Sequence, residues 1–545
     1  MDTAQPRREG SPGVGVSRRF AWIWALAFAA ATALPYLVAA AACPPGSRST
    51  WILPPYGEDG IAYFAWARQA ELGQVLFSMK YTALPHGRFL FLPFFLLIGW
   101  LARLTTLPVG IVMLAAKSLG VVCFWLAFFR LTAAFRLDRR ETTLAAVLAG
   151  ATSGLGGWWA LAAGADSAAR RTAADLWLPD VNTLWSLVWN PLFPLSLALA
   201  LVAVASWERA TTGAGARNAW VAGAALGGLA LVHPYVVPVQ VAVLTLVGVY
   251  RLRARAVPLL ARVAAALFAP AAVVAASYWL NPLLQAHGDT GAMNAASAGG
   301  LALGLGVPVL LAIAGIAWGG SGTRARLWPL ALWVAIGAAG CTLPVWFQHK
   351  LILGLHAPVC VVAATTMVAA ADRLLRHRHA LVAMTLVVAA LGIPSHALNA
   401  RAAAQDLRDN KLCLFRVSDD LASALAYLRR STDPDDVVLA NLRTSTLVPA
   451  FAGNTVIWGH WAQTVDMDER SAWLRDLLAS RSPLSEEERV GRLAAAGIRY
   501  VVGGSACADD VNILPPKWLL SHLRPLFAAG KHTVYELPPR RSAAP

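Results

Sequence analysis

Long apolar runs separated by short arginine-bearing loops fill the first 398 residues of this chain, and then the pattern changes. A run of about 20 apolar residues crosses a bilayer as a helix. Runs that can do so recur at 20–42, 111–129, 144–162, 184–207, 220–232, 236–250, 264–279, 301–318, 328–347, 351–371 and 381–398. The pattern therefore predicts about eleven transmembrane helices. Basic residues in short loops mark the cytoplasmic side. With the N-terminus inside, Arg130–Arg140, Arg209 and Arg217, Arg251–Arg262, Arg324 and Arg326, and Arg373–Arg378 all fall inside. That alternation holds only if Phe89–Leu104, which carries Arg103, does not cross. It is read as a re-entrant or surface-lying helix.

Arg7, Arg8, Arg18 and Arg19 before the first run have the form of a signal peptide. The run is long enough to span, and it is read as an uncleaved first helix. Residues 1–19 are then a cytoplasmic tail, 20–398 a transmembrane domain with an outer loop at 43–88, and 399–545 an extracytoplasmic domain.

Beyond residue 399 charge rises and shorter periods appear. Ser418–Arg430 reads as an amphipathic helix, Asp436–Ala440 as a strand, Glu486–Ala496 as a helix ended by Gly497, and Ile498–Val502 as a strand. The fold class is thus a mainly α polytopic membrane protein with a C-terminal α/β domain. Cys413 and Cys507 both lie in that domain, where a disulfide can form, but spacing leaves their pairing open. Cys123, Cys341 and Cys360 fall in spans and read as core residues.

Composition supports the membrane class. The chain is 57% hydrophobic and 14% charged over 545 residues. Its net charge of +16 comes from arginines between apolar runs, not from a basic face, so nucleic acid is not an expected partner. The charge reads as topology signal and attraction to lipid headgroups, and twenty-two Trp fit anchoring at the membrane interface. No Cys-x-x-Cys or His/Cys cluster points to zinc or haem.

The topology gathers the reactive side chains on the outer face. Pro54-Pro55-Tyr56-Gly57-Glu58-Asp59-Gly60 follows the first span. An acidic pair beside lipid is costly unless solvated or partnered. The amphipathic run Ile61–Trp66 after it predicts a loop held down on the bilayer, although a plain solvated turn would also carry such a pair. Lys80, His86 and Arg88 come later in the same loop. A second outer loop holds Asp166, Arg170, Arg171, Asp175 and Asp180. Asn190-Pro191, His233-Pro234-Tyr235 and Gln348-His349-Lys350 stand at outer helix ends, with His356 deeper. Each has a plainer role open to it. Asp180 could cap the next helix, Lys350 could snorkel to headgroups, Asn190-Pro191 could be a kink, and His233 could be an interfacial histidine.

Carboxylates and cations on one membrane face suit sugar transfer from a lipid phosphate. A carboxylate accepts the proton of an attacking hydroxyl, and cations steady the departing phosphate. With these features the chain resembles the GT-C superfamily of integral membrane glycosyltransferases. The shared features are the paired acid after span one (Glu58-Asp59), a helix lying along the membrane, a second acidic loop (Asp175 to Asp180) and an outer soluble domain (399–545). The resemblance implies a polyprenyl-phosphate sugar as donor, inversion at the anomeric carbon, and no further cofactor. Some relatives use a divalent metal; with no dense acidic cluster here, none is assigned. It implies Glu58 or Asp59 as the base and Asp180 as a residue positioning base or acceptor. Gln348-His349-Lys350 become donor-phosphate contacts, with Lys80, His86, Arg88, Asp175 and His233 as further substrate contacts.

Membrane lipid and a glycan, lipid or protein acceptor are the implied partners, in a bacterial-type plasma membrane. Two departures stand out. Leu84-Pro85-His86-Gly87-Arg88 replaces the Pro-Pro-Leu element of several relatives, and the Trp-Trp-Asp signature of oligosaccharyl transfer is missing. The rival readings are a lipid-linked-glycan polymerase or ligase, a transporter or flippase, and a non-catalytic glycan-binding member. Against the transporter, charges concentrate at span ends and no repeat relates the two halves.

Overall fold

The computed structural model describes residues 15–538, apart from Tyr56, Phe91, 165–166, 282–295, Trp346, 376–378, 508–509 and 511–513. Arg7, Arg8, Tyr56, Asp166, Arg376 and Arg378, singled out above, lie outside the described residues. Among the described residues seven helices are long and apolar enough to cross a membrane, or eight if the bent pair Arg139–Ala151 and Gly156–Ala162 is one span. One of the seven stretches, Pro234–Trp279, holds two of the expected spans. The expected span 184–207 is instead two helices, Thr183–Trp189 and Phe193–Arg209, because Asn190-Pro191 interrupts it. The helix expected over 328–347 runs earlier, Ser321–Gly340, and Gln348–Ile352 form a separate 3-10 turn ahead of His356–Ala370.

The chain divides into two units. A helical unit comprises Met1–Thr32, Lys117–Ala271 and Ala292–Arg401. A mixed unit comprises Ala33–Ala116, Ala272–Gly291 and Ala402–Pro545, so the first expected outer loop joins the C-terminal domain.

In the helical unit, glycines permit close packing where polar groups must be buried. Thr152-Ser153-Gly154-Leu155-Gly156-Gly157 breaks the bent pair. A Cβ on Gly154 would lie 2.6 Å from Asp175 Cγ, and one on Gly156 would collide with Asp175 Oδ1. The bend is thus a mould for one buried carboxyl. A network closes round it. Ser153 Oγ donates to Asp175 Oδ2 at 3.4 Å, Asn399 Nδ2 donates to Asp175 O at 2.8 Å, and Asn182 Nδ2 donates to Thr152 O at 2.9 Å. His356 joins it, with Nδ1 2.9 Å from Thr183 Oγ1 and Nε2 3.3 Å from Thr152 Oγ1. Cys341 and Cys360 are buried, as core cysteines are.

In the mixed unit, strands β1 (Ser47–Ser49) and β2 (Arg416–Ser418) pair antiparallel. Five more, β3 (Val437–Ala440), β4 (Thr455–Val456), β5 (Ile498–Gly503), β6 (Arg524–Ala529) and β7 (His532–Glu536), form one sheet in the order β4-β3-β5-β7-β6. β3 is parallel to both its neighbours; β7 is antiparallel to β5 and β6. The helices come close to expectation. Asp419–Ser431 starts at Ser418, whose side chain accepts from Leu421 N, and Glu486–Ala495 starts with a Ser485/Glu488 capping box. Gly497 has φ +79°, the left-handed conformation that ends a helix. Cys413 and Cys507 form a disulfide, with Cα atoms 5.8 Å apart.

The helix expected near 89–104 is Pro93–Thr105. Thirteen residues reach only about 20 Å, too short for a hydrocarbon core of about 30 Å. It buries Phe94, Phe95, Ile98, Gly99 and Ala102 and packs on the helix Gly57–Glu71, where Gly99 has no room for a Cβ beside Ala67 and Ala70.

Candidate functional site

Two clusters hold the candidate residues, one in each unit. In the mixed unit, Glu58 and Asp59 occupy the first turn of Gly57–Glu71 and are not in a loop. Acids there are favoured by the helix dipole. The flanking glycines have a packing cause: a Cβ on Gly57 would meet Phe415 Cε1 at 2.9 Å, and one on Gly60 would meet Ile52 Cγ2 at 2.9 Å. This corrects the bilayer-bound amphipathic run. Ile61, Ala62, Phe64, Ala65 and Trp66 are buried inside the unit, where their helix packs against Pro93–Thr105 and Leu442–Phe451.

The Glu58 side chain is 28% exposed, and Arg443 Nη1 lies 3.3 Å from its Oε1. Burial raises the Glu58 pKa above the usual carboxylate value, and the Arg443 charge opposes that rise. Arg443 is set by a cap. Asp510 accepts from Arg443 N at 3.2 Å and from Thr444 Oγ1 at 3.4 Å, at the start of Leu442–Phe451. From the other side, His460 Nδ1 accepts from Ala462 N at 3.1 Å, which leaves Nε2–H to donate to Glu58 O at 3.2 Å. Arg443 and His460 escaped the sequence reading because neither stands in a local pattern; they meet Glu58 across more than 380 residues.

Three other residues of this unit are committed elsewhere. Lys80 is buried, and its Nζ donates to Pro434 O at 2.7 Å, Asp435 Oδ1 at 2.9 Å and Thr455 Oγ1 at 3.4 Å. Arg88 Nη2 takes the other Asp435 oxygen at 2.6 Å. His86 Nε2 accepts from Met79 N at 2.8 Å, which leaves Nδ1–H for Leu84 O at 2.7 Å. All three are ties within the unit, and none is carried forward as a substrate contact.

In the helical unit, three turns converge. Pro179–Val181 and Pro234–Val236 both pack on Gln348–Ile352. Asp180 does not cap the following helix; Asn182 does, accepting from Trp185 N at 3.3 Å. The Asp180 side chain is 0% exposed and its Oδ1 lies 3.6 Å from Lys350 Nζ. Lys350 is 17% exposed and stands over the Phe193 ring at 5.2 Å. His233 meets Phe193 edge-on at 5.5 Å and Tyr235 at 5.4 Å. His233 and His349 each bury an Nδ1 that has no hydrogen-bond partner. A buried polar atom without a partner needs an explanation, and a bound ligand is one. Gln348 is buried beside them. Asp175, five residues before Asp180, is buried, with Oδ2 accepting from Ser153 Oγ at 3.4 Å.

Lys117 was also missed. It lies in the span Val109–Ala134, buried, with Nζ donating to Thr32 O at 2.8 Å and Leu187 O at 3.3 Å. Pro191 has no N–H for the Leu187 carbonyl four residues back, and Lys117 supplies the donor. A lysine inside an apolar run was the available signal. Among the described residues no group of three or more His, Cys, Asp or Glu could hold a metal ion.

No protein-family model matches the sequence, and no curated protein matches it either. Solved structures do match the fold. The oligosaccharyltransferase of Archaeoglobus fulgidus, solved with a tethered acceptor peptide, is similar over 89% of this chain and 70% of its own, with 14% identity and a TM-score of 0.51. The arabinofuranosyltransferase AftD from mycobacteria is similar over 97% of this chain but only 40% of its own, with 15% identity and a TM-score of 0.55. With its long apolar helices and its C-terminal sheet, the chain is a multi-pass membrane protein whose fold is similar to those of this oligosaccharyltransferase and this arabinofuranosyltransferase.

Proposed function

We propose that the chain transfers a sugar from a polyprenyl-phosphate donor to an acceptor hydroxyl on the extracytoplasmic side of the membrane. Glu58 takes the hydroxyl proton while the acceptor oxygen attacks the anomeric carbon. The bond from that carbon to the phosphate oxygen breaks, and the electron pair leaves with the polyprenyl phosphate. A single displacement of this kind inverts the anomeric centre. Within the helical unit, Lys350 supplies a cation for the donor phosphate, and His233 and His349 offer hydrogen bonds to its oxygens.

The observation that carries this reading is the Lys350 cluster. Its ammonium is 3.6 Å from Asp180, beyond hydrogen-bond length, on an aromatic floor and beside two histidines with open nitrogens. An oxyanion would satisfy all three cations or donors. Asp180 holds the ammonium in place between turnovers. Asp59, beside Glu58 on the same helical turn, is the alternative base.

The test uses the full chain in lipid nanodiscs with a radiolabelled polyprenyl-phosphate sugar and an envelope extract as acceptor. Label should move to the acceptor fraction, and Glu58→Gln should stop it while donor binding survives. Donor movement across a proteoliposome membrane, unchanged in that variant, would replace transfer with transport.

A further inference from the structure

We infer that the Cys413–Cys507 disulfide and Asp510 form one positioning device, which holds the Arg443 guanidinium against Glu58. That Glu58 is the base rests on the transfer reading; the positioning does not. Glu58 and Arg443 stand near the starts of two different helices, 385 residues apart in the chain. Their spacing is therefore set by whatever holds each helix start.

The disulfide reaches both starts. On one side, Cys413 precedes Leu414 and Phe415. A Cβ on Gly57 would meet Phe415 Cε1 at 2.9 Å and Leu414 Cδ1 at 3.1 Å, so both side chains abut the residue before Glu58. Their backbone is fastened. Thr50 Oγ1 donates to Leu414 O at 2.5 Å, Thr50 N to Phe415 O at 3.1 Å, and Phe415 N to Asn410 Oδ1 at 3.1 Å. On the other side, Asp510 N donates to Cys507 O at 3.2 Å, and Asp510 Oδ2 accepts from Ala506 N at 3.2 Å. The same buried carboxylate caps the helix of Arg443, taking Arg443 N and Thr444 Oγ1. The contacts close a ring: Gly57, Phe415, the two sulfurs, Asp510, Arg443 and back to Glu58.

The turn that carries Asp510 needs such a tie. Strand β5 ends at Gly503, and Gly504 takes φ +91°, so the chain leaves the sheet before Cys507. A disulfide restricts the conformations open to the segment it closes. Without it, the Asp510 cap loses its covalent link to the segment packed on Gly57, and Arg443 is free to swing into solvent. The other ionisable groups around Glu58 are Asp59 beside it, Tyr81, and His460 on its carbonyl. Arg103, the one charge on the packed helix Pro93–Thr105, lies at the far end beside Gly73. Arg443 is thus the cation opposite the Glu58 carboxylate.

The experiment uses the full chain in nanodiscs, without donor, and a diazo reagent that esterifies protonated carboxyls. Label at Glu58 is followed against pH by peptide mass spectrometry. Dithiothreitol attacks Cys507, which is half-buried, whereas Cys413 is 1% exposed. Cys413 leaves as a thiol, and the second thiol of the reagent closes its own disulfide and releases Cys507. In the reduced protein, and separately in Asp510→Ala, label should persist to a pH about 0.5–1 unit higher, as removal of a facing cation predicts. The two changes together should add nothing, and reoxidation with diamide should restore the parent midpoint. Loss of the Asp510 charge alone would move the midpoint the other way. A midpoint unmoved or lowered by reduction, even with a lower melting temperature, overturns the inference and leaves the disulfide a staple for stability. Asp510→Ala, which keeps the disulfide, decides by the same criterion if the reduced protein no longer melts cooperatively. A raised midpoint in a protein whose Glu58→Gln variant transfers sugar normally would keep the positioning and end the catalytic reading.

Discussion

The molecule carries its candidate carboxylates in two very different settings. Glu58 sits at the N-terminal end of a helix, partly open to solvent, with one guanidinium across from it. Asp180 and Asp175 sit in a loop among apolar helices; Asp180 faces one ammonium, and Asp175 is enclosed by two glycines and two hydroxyls. The functional group is the same, but access is not. A base must be reached by the acceptor and must shed its proton afterwards, and only Glu58 has the opening for that. A fully buried carboxylate can still lie beside a cation, as Asp180 does beside Lys350, or brace a loop, as Asp175 does through Ser153 while Asn399 holds its backbone carbonyl. The contrast separates chemistry from positioning without appeal to motif.

The sharpest way to break that contrast is to exchange the roles. Glu58→Gln should reduce transfer by roughly 10²- to 10⁴-fold, the usual contribution of a general base, with donor KM little changed. If Asp59→Asn has the larger loss, the base is the neighbour. The next largest effect belongs to the phosphate cluster. Lys350→Met should raise donor KM about 10- to 100-fold, as expected for removal of a charge-assisted hydrogen bond worth about 1.5–3 kcal/mol. Lys80 supplies the control, because it is a lysine with an aspartate partner of its own. Lys80→Met should leave donor KM unchanged and destabilise the mixed unit by about 1–3 kcal/mol, read as a lower melting temperature, since Asp435 loses its buried partner. A rise in donor KM in that variant would return Lys80 to the substrate.

The two lysines also show what the sequence could and could not reveal. Element type was legible, because apolar runs and caps such as Ser418 and Ser485 are local signals. The second acidic loop and Gln348-His349-Lys350 were legible as candidates because they stand at helix ends. Partner choice was not. Nothing in the run from Lys80 to Arg88 announces that its cations close on Asp435, some 350 residues away. The same distance hides Arg443 and His460 from Glu58. Gly154 and Gly156 look like flexibility in the sequence and turn out to be room for a carboxyl.

The smallest predicted effect is also the most discriminating, because it tests the Glu58 setting without removing the proposed base. Burial raises the Glu58 pKa and Arg443 lowers it. A general base works deprotonated, so transfer should be full above the Glu58 pKa and should fall as pH drops through it. Arg443→Ala removes the opposing charge, so the pKa rises further and the acid limb of kcat/KM moves to higher pH. At alkaline pH, where Glu58 is ionised in both proteins, the variant should stay within about threefold of the parent. A loss of the same size at every pH would mean that Arg443 binds the acceptor directly and leaves the ionisation of Glu58 alone. An acid limb that moves to lower pH would mean that the two side chains are not paired as this structure has them.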